Sequence, residues 1–180
     1  MRLDHIAYRV ADRNKTAQFF IDAFGYKIQQ EFKIKFDGNS EADCIALEPP
    51  EKIQDQPWTV LMQTMNVSHE QEYHLAPEIF VSDGTSDSIV GKWVAARNGI
   101  GGIHHMAYQV ESVEEIVKEW KEKGYAEFSS EKPIICEELT QIFTKPSELT
   151  GVIYEFIKRG ERGFCRDSVK YLMESSKDNK

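Results

Sequence analysis

Two segments of this 180-residue chain show the same alternation of apolar and polar residues. The first reads RLDHIAYRV and the second reads GIHHMAYQV, and their shared histidines, His5 and His105, lie 100 residues apart. Side chains in a β-strand point alternately to opposite faces, so each histidine shares a face with the alanine two positions later. The repeat therefore predicts two strands of the same design, one in each half of the chain.

A helix is predicted after each of these strands. Both ADRNKTAQFFIDAFGYKI and ESVEEIVKEWKEKGYAEF place apolar residues three and four positions apart, which is the spacing of one helix face. Gly25 and Gly124 end these patterns, at the position where a helix terminus favours a left-handed residue. Each half thus predicts a strand, a helix and then further strands.

The remaining apolar runs predict strands over 28–36, 42–48, 58–64 and 77–82 in the first half and over 133–136, 139–145 and 151–158 in the second. A linker helix is predicted in SDSIVGKWVAARNGIGG, with Ser86 or Asp87 near its N-cap and Asn98-Gly99 at its end. A final helix over about 165–175 carries an apolar stripe. Such a terminal helix most often covers a sheet edge.

The composition, with 41% hydrophobic and 29% charged residues, is that of a folded globular protein. No segment is apolar for long enough to span a membrane, and the N-terminus lacks the pattern of a signal peptide, which predicts a cytoplasmic protein. The formal net charge of −8 argues against nucleic acid and membranes as partners and favours a small-molecule substrate. The sequence is compatible with a homodimer.

The three cysteines, Cys44, Cys136 and Cys165, are odd in number and show no CxxC spacing. This pattern predicts reduced thiols rather than a disulfide framework or a zinc knuckle. Reduced thiols also fit the expected cytoplasmic location.

The recurrence of a histidine at the same repeat position indicates a pair of metal ligands, although a single histidine is more often a hydrogen-bonded core residue. Glu155 in GVIYEFIK interrupts an apolar strand, and a buried carboxylate needs a cation or several donors. The alternative is an edge strand whose glutamate faces water. Two imidazoles and one carboxylate form a facial set suited to divalent iron, manganese or cobalt, with positions left open for a substrate.

Glu78 in APEIFVSDG lies in the last predicted strand of the first half, where the repeat places the counterpart of Glu155. This position makes it a candidate fourth metal ligand. The alternatives are a strand residue that faces solvent, or a carboxylate that pairs with Arg9 or Lys92.

The other histidines have different expected roles. Strand alternation places His104 on the face opposite His105, where it would pack or support a neighbouring ligand. His69 and His74 lie in a polar segment without periodicity and are expected to face water.

These features resemble the vicinal oxygen chelate superfamily, in which paired βαβββ modules carry metal ligands on their first and last strands. The resemblance implies that His5, His105 and Glu155 are metal ligands, with Glu78 at an optional fourth position. The implied fold class is α+β, with two paired modules forming a curled, cupped mixed sheet around the metal and with a C-terminal helix. The modules are expected over 1–84 and 102–160, the linker helix over 85–101, and the C-terminal helix and tail over 161–180.

Two enzyme families within this superfamily are similar to different parts of the chain. SIVGKWVAARNGIGGIHHMAYQV resembles methylmalonyl-CoA epimerase, but the sequence offers Cys44 or Ile45 where that family has a glutamate base. LTQIFTKP and YEFIKRGERGF resemble the catalytic half of 4-hydroxyphenylpyruvate dioxygenase. That resemblance implies that Gln141 and Phe143 line the substrate pocket and take part in catalysis; the alternatives are sheet hydrogen bonding and core packing.

The resemblance implies a divalent-metal-dependent enzyme that acts on a small oxo acid or a related carbonyl compound. We favour a non-haem iron dioxygenase of the 4-hydroxyphenylpyruvate type, with Fe(II) as the metal and manganese, cobalt, nickel or zinc as alternatives. The alternative reaction is that of an epimerase or a glyoxalase-like isomerase or lyase. A third hypothesis is a protein that binds a small molecule, such as an antibiotic, without altering it.

Overall fold

The computed structural model describes residues 1–37, 40–50, 76–160 and 164–175, which form an α+β fold. The strands in this part are β1 (Arg2–Val10), β2 (Lys27–Lys35), β3 (Glu41–Glu48), β4 (Glu78–Gly84), β5 (Gly101–Gln109), β6 (Ile134–Cys136), β7 (Leu139–Phe143) and β8 (Ile153–Lys158). The helices are α1 (Arg13–Phe24), α2 (Ile89–Ala95), α3 (Val113–Glu122) and α4 (Arg166–Ser175).

All eight described strands belong to one mixed sheet in the order β2-β3-β4-β1-β5-β8-β7-β6. The strands β1 and β4 pair in parallel, as do β5 and β8, and the two halves meet where β1 pairs antiparallel with β5. Reading outward from this central pair gives the same strand order on both sides. The sheet curls into a half-barrel, which confirms the predicted fold class.

Helices cover both faces of the curled sheet. Apolar residues of α1 and α3 pack on the outer face, where Ala17 joins one buried cluster and Val113 and Val117 join another. The inner face packs against α2 and α4, through residues such as Val90 and Val169. No helix in the described part of the chain is long and apolar enough to cross a membrane.

The helix ends follow their local sequence. Asp12 and Ser112 cap α1 and α3 by accepting a hydrogen bond from the backbone three residues later. The linker helix is shorter than 85–101 and is capped by Ser88, not by Ser86 or Asp87 as the sequence predicted. The Ser88 hydroxyl reaches the amide of Gly91, which fixes the first turn. The strand predicted over 58–64 and the segment with His69 and His74 lie outside the described residues.

The register between β1 and β5 contains two β-bulges that are related by the repeat. Leu3 pairs with Tyr108 and His5 with Ala107, so Asp4 is an extra residue on β1. Ala7 pairs with His105 and Tyr8 with Ile103, so His104 is an extra residue on β5. Each bulge therefore inserts the residue that comes directly before a histidine of the repeat. 

A disulfide connects Cys136 at the end of β6 to Cys165 just before α4, with Cα atoms 6.4 Å apart. The prediction of three reduced thiols is therefore wrong for this pair. Sequence spacing gave no sign of it because the fold brings together residues that are 29 positions apart. Cys44 is the free cysteine of the described chain and lies buried in the core.

Substitution of Gly101 should disrupt the junction between the halves. Its φ is +81°, and an added Cβ would lie 2.0 Å from the carbonyl oxygen of Arg9. Gly99 is a matched control because its φ is +75° but an added Cβ would meet nothing within 4 Å. We expect Gly99→Ala to lower the free energy of unfolding by about 1–2 kcal/mol, the cost of a left-handed backbone, and Gly101→Ala to cost roughly 1–3 kcal/mol more. Urea denaturation measures both variants, and equal losses in their free energy of unfolding would contradict this account.

The disulfide should stabilise the fold by restricting the unfolded chain. We expect reduction, or the Cys136→Ser and Cys165→Ser pair of substitutions, to lower the free energy of unfolding by roughly 2–4 kcal/mol. Urea denaturation with and without dithiothreitol measures this difference. Cys44→Ala is the control, since it should leave the response to dithiothreitol intact. An oxidised wild-type protein that does not respond to the reductant would refute the prediction.

Candidate metal centre

Three side chains from three adjacent strands converge on the inner face of the sheet. The Nε2 atoms of His5 and His105 are 3.2 Å apart. Glu155 Oε2 lies 3.3 Å from His5 Nε2 and 3.2 Å from His105 Nε2. All three side chains are buried, with Glu155 only 2% exposed. The fold thus brings together three of the four ligands that the sequence analysis proposed, and we call them the triad.

The triad fits a divalent cation by its chemistry and its spacing. Neutral imidazole nitrogens and a carboxylate oxygen are electron-pair donors, and three donors in contact without a proton or a cation between them repel one another. Metal–ligand distances of about 2.1 Å imply donor–donor distances of roughly 3.0 to 3.4 Å in octahedral or tetrahedral geometry. The observed separations of 3.2–3.3 Å fall within this range.

His5 is oriented by a chain of ion pairs. Its Nδ1 lies 2.8 Å from Asp4 Oδ2, so the ring carries its proton on Nδ1 and keeps the lone pair of Nε2 for a metal. Asp4 in turn pairs with Arg159, and the other guanidinium nitrogen of Arg159 lies 2.8 Å from Glu78 Oε2. The charges on Arg159 and His5 outweigh burial and keep the pKa of Asp4 below its ordinary value.

His105 is oriented by His104, its neighbour at the bulge. Their Nδ1 atoms are 2.8 Å apart, and His104 is 4% exposed. His105 is the donor if its Nε2 binds a metal, because its proton must then be on Nδ1. Alternation predicted His104 on the opposite face, which is wrong, because the extra residue of a bulge breaks the alternation. Burial and the charge of Arg9 hold the pKa of His104 well below its ordinary value, so it stays neutral.

Glu155 is ionised near neutral pH. Burial favours the neutral form of Glu155, but its close contacts with His105 and His5 outweigh burial and lower the carboxyl pKa to about 2. Burial also opposes the charged form of His5, yet Asp4 and Glu155 raise its pKa above the ordinary value. The pKa of His105 is lowered, because burial outweighs its contact with Glu155. An ionised carboxylate beside an imidazole that resists protonation attracts a cation.

Glu78 lies outside the triad. Its carboxylate pairs with Arg159, and its backbone is paired with His5. In the second half, Glu155 pairs with Ala107, two residues after His105. The equivalent partner of Ala7 in the first half is Phe80, so the position that mirrors Glu155 holds an aromatic ring.

The triad lies in a small, mostly apolar cavity of about 30 Å³. Phe143 packs against His105 with ring centres 4.7 Å apart, and Phe164 packs against His5 at 5.1 Å. Residues of α4 close the cavity, namely Val169, Leu172 and Met173. Such a volume holds an ion with one or two water molecules, since one water needs about 10–15 Å³. The cavity itself has no room for a larger ligand in this conformation.

Gln141 and Phe143 both line this cavity, as expected for pocket residues. Gln141 is 1% exposed, and its amide donates a hydrogen bond to the hydroxyl of Ser168 on α4. Gln141 therefore ties the terminal helix to the sheet. A catalytic role for either residue stays a prediction.

Sequence reasoning missed Asp4 and Arg159. A signal for Asp4 was present, because the residue before each histidine of the repeat is polar: Asp4 before His5 and His104 before His105. No comparable pattern marked Arg159, whose contacts with Asp4 and Glu78 join residues far apart in the chain.

Comparison with known families bears on the site. Residues 4–138 match the profile of the Glyoxalase/Bleomycin resistance protein/Dioxygenase superfamily. The chain belongs to this superfamily. The resemblance to vicinal oxygen chelate proteins, predicted from the repeat, is thereby confirmed. Glu155 lies beyond the matched residues, so its place in the triad depends on the structure alone.

Several known proteins are similar to this chain. Mitochondrial methylmalonyl-CoA epimerase of Mus musculus is 24% identical over 154 residues, covering 86% of this chain and 71% of the mouse protein. A selenomethionine crystal structure of methylmalonyl-CoA epimerase has a TM-score of 0.62 at 19% identity, covering 89% of this chain and 97% of its own. A Streptomyces coelicolor epimerase variant in complex with 2-nitronate-propionyl-CoA has a TM-score of 0.59 at 20% identity, covering 89% and 98%. At these identities, the structural likeness shows the fold.

Loss of any triad residue should abolish stoichiometric metal binding. We expect His5→Ala, His105→Ala and Glu155→Ala each to weaken Co²⁺ affinity by more than about 100-fold. Substitution of a residue that only supports a metal ligand already lowers metal affinity by about 10-fold to 100-fold. Glu78→Gln should keep the metal, because its carboxylate pairs with Arg159. Calorimetric titration with Co²⁺ measures these affinities. Full metal content in all three alanine variants would refute the assignment.

Metal affinity should fall as the solution becomes more acidic. His5 must lose a proton to bind a metal, and its raised pKa means that protons compete at a higher pH than for an ordinary histidine. Glu155, with a pKa of about 2, stays ionised over this range. Co²⁺ titrations between pH 8 and pH 5, roughly the range over which histidine changes its charge, should therefore show a steady loss of affinity. An unchanged affinity would contradict the role of His5.

Proposed function

We propose that this protein is a divalent-metal-dependent isomerase of the epimerase type, which removes and returns a proton at the carbon next to a carbonyl group. The observation that carries the proposal is the buried triad, whose three donor atoms converge at 3.2–3.3 Å in a mostly apolar cavity. Relatives that are named as methylmalonyl-CoA epimerases support this reaction class. We therefore prefer it to the dioxygenase that the sequence favoured.

The triad would hold the ion, with His5, His105 and Glu155 as its protein ligands. A bound divalent ion supplies Lewis acidity, which draws electrons from a substrate carbonyl and makes the adjacent C–H more acidic. Asp4 and His104 keep the two imidazoles in the tautomer that leaves Nε2 free to bind.

Glu155 is the group proposed to remove the proton from the substrate carbon, and inversion requires that a proton return to the opposite face of that carbon. Glu155 is the one carboxylate among the described residues that line the cavity. Its Oε2 faces both imidazoles, so Oε1 is the atom proposed to accept a proton from the substrate carbon. The lowered pKa keeps this carboxylate ionised, which is the form that a base requires.

The aromatic wall would exclude water from the reacting atoms. Phe80, Phe143 and Phe164 surround the triad, and the ring centres of Phe80 and Phe164 are 4.9 Å apart. Exclusion of water strengthens the electrostatic effects inside the cavity. A coenzyme A portion of a substrate would have to remain outside, because the cavity of about 30 Å³ has room only for small groups.

Oxidative decarboxylation of a 2-oxo acid is the second candidate. Phe80 occupies the position that mirrors Glu155, so the described residues supply three donors rather than four. A set of three donors leaves more positions open for a chelating acid and for dioxygen. Gln141 and Phe143 also line the cavity, as the dioxygenase resemblance implies.

Deuterium exchange tests the proposed reaction. Co²⁺-loaded protein is incubated with methylmalonyl-CoA in D₂O, and mass spectrometry follows deuterium at the carbon between the two carbonyl groups. We expect rapid exchange that a chelator abolishes. Glu155→Gln at saturating Co²⁺ should slow exchange by about 100-fold or more, as for loss of a general base. Glu122→Gln, an exposed change on α3, should leave it unchanged.

Deuterium exchange and oxygen uptake, measured on the same protein, decide between the two candidate reactions. Absence of metal-dependent exchange would overturn the proposal. Oxygen uptake by Fe²⁺-loaded protein with 2-oxo acids would then support the dioxygenase reaction. Exchange without oxygen uptake supports the isomerase.

A further inference from the structure

The cavity has a second polar wall beside the triad. Arg9, Ser82 and His104 line this wall, and all three are buried. Arg9 lies on the same strand and face as His5, with Ala7 between them. Because the alanine side chain is a single methyl group, it leaves the cavity continuous from the triad to Arg9. One part of the cavity is thus lined by electron-pair donors and another by a cation.

His104 offers an unused hydrogen-bond donor on this wall. Its Nδ1 faces His105, which leaves the ring proton on Nε2 when His105 is the donor. Within the described residues, this buried Nε2 has no hydrogen-bond partner. A buried N–H without an acceptor is costly, so the position favours a ligand oxygen.

Arg9 places a positive charge in the same region. Its guanidinium lies 5.8 Å from the ring centre of Trp93, and Arg97 lies 3.6 Å from the same centre. Burial lowers the pKa of Arg9 to about 9, and the nearby Arg97 adds to this effect. A carboxylate that enters this part of the cavity would be attracted by the guanidinium charge.

We infer that Arg9 and the Nε2–H of His104 bind a free carboxylate of the substrate, with Arg9 as the residue that determines specificity. The ligand class is a small acid that carries a second oxygen function able to reach the triad, such as a dicarboxylic acid or its thioester. The inference rests on the proposed function for the reaction, whereas the carboxylate contact can be tested without it. 

Paired ligands test this inference by binding alone. Succinate and butyrate have the same chain length and differ by one carboxylate, and calorimetry measures their affinities for Co²⁺-loaded protein. We expect wild type to prefer succinate by about 10-fold to 100-fold, the effect of a charge-assisted hydrogen bond. Arg9→Met should remove this preference while Co²⁺ affinity is unchanged.

Matched variants make the test decisive. Arg97→Met removes a similar charge beside the same tryptophan but outside the cavity wall, and it should keep the preference. Arg9→Gln removes the charge with a polar side chain and decides the question if Arg9→Met does not fold. A wild type without preference for succinate, or a neutral Arg9 variant that keeps it, would overturn the inference.

The outcome is independent of the proposed reaction. An Arg9-dependent preference for succinate without deuterium exchange into methylmalonyl-CoA would support the carboxylate site and refute the reaction. Exchange at equal rates in wild type and Arg9→Met, together with equal affinities for succinate and butyrate, would refute the carboxylate site alone.

Discussion

The antiparallel pairing of β1 with β5 is the contact on which the candidate site depends. It places His5 and His105 side by side although they belong to different halves of the chain. The two bulges in this pairing turn Asp4 and His104 toward the rings that they orient. One register thus sets the positions of two triad residues and of their supporting groups, and β8 adds Glu155 through its pairing with β5.

The charges around the triad are arranged so that burial is tolerated. Glu155 stays ionised because two imidazoles contact it, and Asp4 stays ionised because Arg159 and His5 do. Arg159 also neutralises Glu78 and stacks over Phe164 at 4.4 Å, next to the helix that closes the cavity. Arg159 therefore connects the ion pairs that orient His5 with Phe164, which packs over the triad.

The sequence predicted the repeat, the fold class and the residues that converge, because alternation and helical spacing are local properties. The register between strands depends on residues that are far apart in the chain, and the wrong predictions about the site follow from this. The extra residue of a bulge reversed the face of His104, and a shift of two positions made Glu78 look like the counterpart of Glu155, where the structure has Phe80. The pairing of Cys136 with Cys165 was hidden for the same reason, since spacing along the chain does not reveal neighbours in space.

Glu155 in the second half of the chain corresponds to Phe80 in the first half, and this difference has a stereochemical consequence. The two halves repeat the same strand order on either side of the β1–β5 pair, which carries His5 and His105. A flat ligand bound between the halves would meet a carboxylate on one side and an aromatic ring on the other. Two identical halves would offer it the same surroundings on both sides. Because the halves have diverged within one chain, the two sides of the pocket differ chemically, and only one side of a bound molecule faces the carboxylate.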